Sequence, residues 1–432
     1  MFAILNGAIL MNFHKLYFKN PVYLGVLILI IGYTILIPKN WFSIVSSCCI
    51  SVYLLIDVFP RTGNHSTIIL FASLTILFLF ILKLFRKKEL LNPIFLSYFF
   101  RSLTVTIYFY TGFHKLNTDF LNPCVSCVNE INEYTISSLF GYPFKITDSL
   151  SRVFQIATLI VECIVPFGIF FHKTRKYSIG ILLFFHCYLS LSVFADFSAV
   201  GLFLLLGCLI DFKENIFSEK TIFMVRIYLV LIIMSVLIPF ILNYTNVPKF
   251  QYSFVKGFIF LLGYFCFIIY FFKNYSVKQN YFQRSYFLPL LLLCLTISFW
   301  TLKSYIGLGN AGNLTMFSNL VTEKNTNNHL LIDTKKTKIF DFEEDAITII
   351  YLKNKNIAEN YNGYKLPLVE FRFLVNYWRE NFKDKVPCKL VYKGKVYETK
   401  DICSSEFSQI KWWYKYLNFR KIQLEGPNEC RW

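Results

Sequence analysis

The sequence predicts an all-α polytopic membrane bundle of about nine or ten transmembrane helices with a small C-terminal α+β extramembrane domain. Three observations predict it. First, the 432 residues are 55% hydrophobic and only 16% charged, where a soluble domain carries about 25% charged residues. Second, apolar runs of membrane length recur down the chain, each near the roughly 20 residues that cross a bilayer at about 1.5 Å per residue. Third, the composition turns polar after Gly307. The expected division is therefore 1–307 for the transmembrane domain and 308–432 for the soluble one.

The runs fall at 22–37, 41–58, 66–84, 94–112, 153–171, 177–193, 197–212, 222–242, 254–272 and 286–303. Basic loops face the cytoplasm. Lys83, Arg86, Lys87 and Lys88 form the strongest basic loop, so the segment after 112 is expected outside. Alternation from there places the tail beyond about residue 304 outside as well. Lys15 and Lys19 break this alternation if three spans precede Lys83. The setting expected is a bacterial inner or plasma membrane, with the C-terminal domain extracytoplasmic. A formal charge of +18 suits anionic lipid. No nucleic-acid motif, Walker loop or dinucleotide fingerprint is present, and no metal site is expected.

The fourth run carries polar groups where lipid cannot solvate them. Arg101, Tyr108, Gly112, Lys115 and Asp119 follow one another at spacings of 7, 4, 3 and 4. At about 100° per residue they share one narrow stripe, provided the helix continues through Gly112. Such a stripe faces the bundle interior or a wet cavity. Arg101 and Lys115 can also be read as end groups that snorkel into headgroups. His114 points off the stripe by about 140°. Farther on, Glu162 sits between Val161 and Cys163, with Pro166 beyond it. A carboxylate there needs a partner, Arg101 or His186 being candidates. Asp196, in a short outer turn, is expected on the same membrane side as Lys115.

The segment 113–152 is too long for a plain connector. It holds Cys124-Val125-Ser126-Cys127, readable as a local disulfide or as a redox pair. In the tail, Ala346–Leu352 is strand-like, Leu366–Phe382 is an amphipathic helix, and Lys393-Gly394 marks a hairpin between Cys388–Tyr392 and Lys395–Thr399. Ser404–Ile422 is expected to be helical, capped by Ser404 or Ser405. Cys388, Cys403 and Cys430 make at least one disulfide reasonable on the outer face.

The stretch Arg101, Tyr108-Phe109, Gly112-Phe113-His114-Lys115-Leu116 and Asp119-Phe120 resembles a helix of the vitamin K-dependent γ-carboxylase-like proteins, including the HTTM (horizontally transferred transmembrane) domain. Lys115 matches the second lysine of the carboxylases' Lys-Lys pair, their proposed base, and His114 stands where the first would be. A second gapless match runs from Glu162 through Arg175 to Phe185-His186-Cys187. Asn64-His65-Ser66 is similar to a motif that precedes a carboxylase membrane helix, but the further histidine that follows it there has no counterpart in residues 66–113. The resemblance implies Lys115, Glu162 and His186 as catalytic residues. It implies a pocket with Arg101, Tyr108, Gly112, His114, Asp119, Asp196 and His65, and a reduced naphthoquinone of the menaquinone or vitamin K type as cofactor. Two functions are then expected: a quinol-dependent enzyme acting on a lipid quinone or secreted peptide at the outer face, or a non-catalytic factor. The factor would bind an apolar ligand or assist maturation or export of a partner polypeptide.

Overall fold

A computed structural model describes residues 21–37, 41–59, 63–84, 92–192, 195–210, 223–224, 226–231, 234, 249–276, 282–352, 361, 363–382, 384–424 and 430. The predicted span 222–242 is described only in part. Arg86, Lys87, Lys88, Lys15 and Lys19 lie outside the described residues.

Helices fall in the remaining predicted runs, and a further one, α5, falls in the segment 113–152 between them: α1 (Pro21–Leu36), α2 (Trp41–Val58), α3 (Asn64–Leu84), α4 (Pro93–Phe113), α5 (Cys127–Phe140), α6 (Asp148–Leu159), α7 (Arg175–Leu189), α8 (Ala195–Gly207), α9 (Lys249–Asn274) and α10 (Phe287–Leu302). Among the described residues three stretches are long and apolar enough to cross a membrane, Asn64–Ile81, Asp148–Ile169 and Arg284–Ile306. Their outer faces carry exposed Phe78, Ile160, Ile164, Leu288, Leu292 and Leu295. Water would penalise such faces at about 25 cal/mol per Å², whereas lipid does not.

The chain separates into two compact units, Met1–Asp57 with His65–Phe113 and Glu130–Ser298, and Val58–Asn64 with His114–Asn129 and Phe299–Trp432. In the first, α6 changes gauge. It widens to a π-turn at Ile160–Ile164, where the Val165 N–H bonds the Ile160 carbonyl, and tightens to a 3-10 turn at Val165–Ile169. Pro166 is the cause on the chain: it has no N–H to donate, and its ring clashes with the preceding turn.

The second unit is built on an antiparallel sheet of β1 (Ala346–Leu352), β2 (Tyr364–Pro367), β3 (Cys388–Tyr392), β4 (Lys395–Thr399) and β5 (Ile422–Gln423), in the order β4-β3-β1-β2-β5. The short helix α11 (Thr334–Thr337) precedes the sheet, and α12 (Leu368–Asn381) follows β2. Phe371, Val375 and Trp378 of α12 pack with Ile347, Leu366 and Leu390 of the strands. The hairpin falls where the sequence puts it. Tyr392 pairs with Lys395 across Lys393 and Gly394 at φ +49° and +73°, the left-handed pair that matches strand twist. The expected helix over 404–422 does not form. Its place is taken by 3-10 turns at Ile402–Ser404, Glu406–Ser408 and Trp412–Tyr416 and by β5. Asp401 and Ser405 each accept a bond from the backbone two residues on, an alternative that outcompetes helix in a run rich in aromatic residues.

The Cys124–Cys127 disulfide is also corrected. Cys127 is bonded to Cys430, 303 residues away, and Cys124 is an exposed free thiol. The CxxC spacing draws attention to a local pair. Here the start of α5 instead anchors the far end of the tail.

Candidate functional site

Arg101, Tyr108 and Gly112 lie on α4 as their spacing requires, and all three are buried. The helix stops at Phe113, so Lys115 and Asp119 do not continue the stripe; they belong to the turns of the second unit. The stop has a local cause. The Asn117 side-chain amide donates to the His114 carbonyl at 2.7 Å and to Ser318 O at 2.5 Å. A carbonyl that would otherwise be left open at the helix end is thereby satisfied.

Four polar side chains from three elements line one small cavity in the first unit: Tyr108 and Thr111 of α4, Glu162 of the π-turn and His186 of α7. Val200 and Gly201 of α8 and Ile68 of α3 complete much of its wall. Its free space is about that of a single water molecule. Gly112 explains how the π-turn comes so close. A Cβ there would lie 2.4 Å from Cys163 Sγ and 3.0 Å from Glu162 Cβ.

His186 is wholly buried, and its Nε2 shares a hydrogen bond with the Tyr108 hydroxyl. Its Nδ1 has no hydrogen-bond partner among the described residues. The ring lies between Phe197, Tyr264 and the backbone of Gly201. A Cβ on Gly201 would come within 2.4 Å of the imidazole Nε2. Tyr264 in turn donates to the Ser198 carbonyl, and Ser198 Oγ donates to the His186 carbonyl at 3.1 Å. Gly201, Tyr264 and Ser198 escaped the sequence reading. The available signal was a glycine inside an apolar helix, which marks a close approach.

Arg101 does not line this cavity. Its guanidinium donates to the Cys208 carbonyl at 3.1 Å, just past the end of α8, and lies over the Tyr98 ring. A cation at the carbonyl end of a helix is favourably placed. Of the two candidate partners for Glu162, then, His186 shares its cavity and Arg101 does not. His65 lies half-buried in the first turn of α3 and is not a cavity residue. Asp196 lies in α8, with its side chain outside the described residues.

The second unit encloses a different histidine. His114 is wholly buried, its Nδ1 paired with the Tyr305 hydroxyl at 2.8 Å and its Nε2 with the Asn313 carbonyl at 3.1 Å. Burial, aided by the nearby His329, pushes its pKa down to about 3, so the ring is neutral. Neighbouring asparagines tie the same region together. Asn313 donates to Ser304 Oγ at 2.7 Å, and Asn319 joins the Val125 carbonyl to the Cys127 N–H. Lys115 is buried beside this network and Asp119 is half-buried. Among the described residues no cluster of three or more metal-ligating side chains occurs.

Neither the curated proteins nor the solved structures contain a match to the chain. A family model does match: residues 22–205 fit the HTTM domain. That range contains α4, the π-turn, α7 and most of α8, and therefore every wall of the Tyr108–His186 cavity. Residues 22–205 are thus similar to the HTTM domain.

Proposed function

We propose that the chain is a multi-pass plasma-membrane factor that does not itself catalyse, and that it assists maturation or export of a partner polypeptide at the outer face. The size of the Tyr108–Glu162–His186 cavity carries this reading. The resemblance to carboxylases implies a reduced naphthoquinone, and a cavity that admits about one water does not fit a two-ring quinol. The locked His114 points the same way, since both of its ring nitrogens are held in structural bonds.

The Cys127–Cys430 disulfide supports an extracytoplasmic second unit, because such bonds persist in oxidising compartments. Strand β4 forms one edge of the sheet and exposes Val396. A sheet edge is a surface on which an extended peptide can pair. Photo-crosslinking from Val396 in living cells is expected to recover one secreted polypeptide whose maturation or export fails when the chain is deleted. Recovery of none would sink the proposal.

A second reading is favoured by a separate observation: Tyr108, Thr111 and Glu162 share one cavity with a buried imidazole whose Nδ1 has no hydrogen-bond partner among the described residues. Intramembrane groups of this kind mark functional sites. This reading is the quinol-dependent enzyme of the carboxylase-like class. Purified protein in nanodiscs, given reduced menaquinone and then oxygen, is expected to yield no quinone epoxide. Epoxide that disappears in His186→Ala would establish the enzyme and overturn the first reading.

A further inference from the structure

The 3-10 turn Trp412–Tyr416 sits in an aromatic and basic surface of the second unit. Trp412 is 77% exposed and Ile339 is 72% exposed, values that an aqueous surface disfavours for side chains of this size. The exposure is built in. Trp413 and Tyr414, the next two residues of the turn, are packed into a small core with Leu417, Phe419 and Phe342. Trp412 is thereby held outward. Phe342 stacks on Phe340 and meets Trp413 edge-on, so Phe340 joins the same aromatic row.

Lysines flank the row. Lys411 Nζ lies 5.9 Å from the Trp413 ring centroid and 5.8 Å from that of Tyr414, and Lys415 Nζ lies 5.1 Å from that of Tyr416. Aliphatic stems along aromatic faces with charged heads at the rim are the arrangement of residues at a lipid headgroup layer. Asp341, Glu343 and Glu344 are opposing charges along and just past the Phe340–Phe342 stretch; Asp341 pairs with Lys324 at 3.9 Å, and Glu343 and Glu344 pair with Lys338 at 2.5 and 2.8 Å.

The position of this surface relative to the helix ends decides its occupant. The Tyr416 ring lies 5.7 Å from that of Phe59, the residue after α2, and Phe59 in turn meets Trp300 of α10. Lys303, in the last turn of the apolar stretch Arg284–Ile306, donates to the Tyr416 carbonyl at 3.2 Å and lies 3.6 Å over the Trp300 ring. On the other side, the Ile339 and Phe340 N–H groups both bond the Ile306 carbonyl. The exposed aromatic row is thus attached directly to the end of a membrane-length helix.

We propose that the Ile339–Phe340 and Lys411–Tyr416 segments form an interfacial anchor that seats Trp412 in the headgroup layer of the adjoining leaflet, with Lys411 and Lys415 meeting anionic phospholipid. The proposal is independent of the chemistry at His186.

The full-length protein is placed in nanodiscs whose lipids carry bromine either near the headgroup or deep in the acyl chain, and tryptophan emission is read. Wild type should show a component quenched by the shallow bromines that is lost in Trp412→Phe. The conservative variant keeps the anchor, and an intact Cys127–Cys430 bond reports its folding. Identical shallow quenching in wild type and Trp412→Phe would overturn the proposal. In a second arm, phosphatidylglycerol nanodiscs should give stronger shallow quenching of Trp412 than phosphatidylcholine nanodiscs. Lys411→Gln with Lys415→Gln should abolish that difference. Equal quenching of wild type in the two lipids would overturn the role given to anionic headgroups.

Discussion

His114 and His186 are both fully buried, yet their surroundings differ in kind. His114 has a partner on each ring nitrogen, and one of those partners, Asn313, is itself held by bonds to Ser304 Oγ and the Gly309 carbonyl. His186 has the Tyr108 hydroxyl on one nitrogen, none among the described residues on the other, and a water-sized cavity beside it. Burial alone therefore does not tell a structural histidine from one with spare chemical capacity. The decisive quantity is how many of its two nitrogens the fold has already used.

The largest test of that contrast is His114→Ala. It empties a ring-sized space and leaves the Tyr305 hydroxyl and the Asn313 carbonyl without this partner, which should cost about 3–5 kcal/mol. The measurement is thermal unfolding in nanodiscs with amide exchange read over 310–328. A loss below about 1 kcal/mol would mean that His114 is not the clamp its bonds describe. Cys430→Ser comes next. Releasing a cross-link across a long loop should cost about 2–4 kcal/mol. Exchange should rise around residues 116–129 and leave α4 protected. Equal loosening of α4 would show that the bond stabilises more than the second unit.

A pH titration of the same exchange should have a smaller effect, and its sign is fixed. His114 has its pKa lowered to about 3, against 6.5 in the unfolded chain. The unfolded state therefore binds more protons between these values, and stability falls as pH falls through that window. It is fully present above about 6.5 and should be reduced by roughly 2 kcal/mol at pH 5. In His114→Phe the dependence over 310–328 should disappear. Persistence of the full slope would assign it to another group.

Helix periodicity made the Arg101–Tyr108–Gly112 stripe legible, because three side chains on one helix obey one angle. It failed at Lys115 and Asp119 because the termination signal, Asn117 bonding to Ser318, comes from about 200 residues downstream. The same distance hid the Cys127–Cys430 bond behind a nearer cysteine. Glu162 and His186 were identifiable as charged or polar groups in apolar runs. What brought them together was the π-turn at Ile160–Ile164 and the bare backbones of Gly112 and Gly201, features that show as small residues and a proline without revealing their partners. The hairpin at Lys393-Gly394 was legible because its whole cause is local.

The smallest expected effect is the one that tests His186 most directly. Tyr108→Phe removes a single hydroxyl and keeps the ring, so its cost should be about 1 kcal/mol. That is well below the cost of His114→Ala. A double-mutant cycle with His186→Leu should return a coupling of about 0.5–1.5 kcal/mol, since the two groups share one bond. If His186 were as locked as His114, His186→Leu alone would be as damaging as His114→Ala. If it is not locked, replacing both members of the pair by apolar groups should be nearly neutral, because no buried partner is then left unsatisfied. A double variant that keeps its stability while a partner polypeptide still matures would leave the cavity with a packing role. One that keeps its stability but loses that maturation would place the function of the HTTM-like segment at the Tyr108–His186 pair.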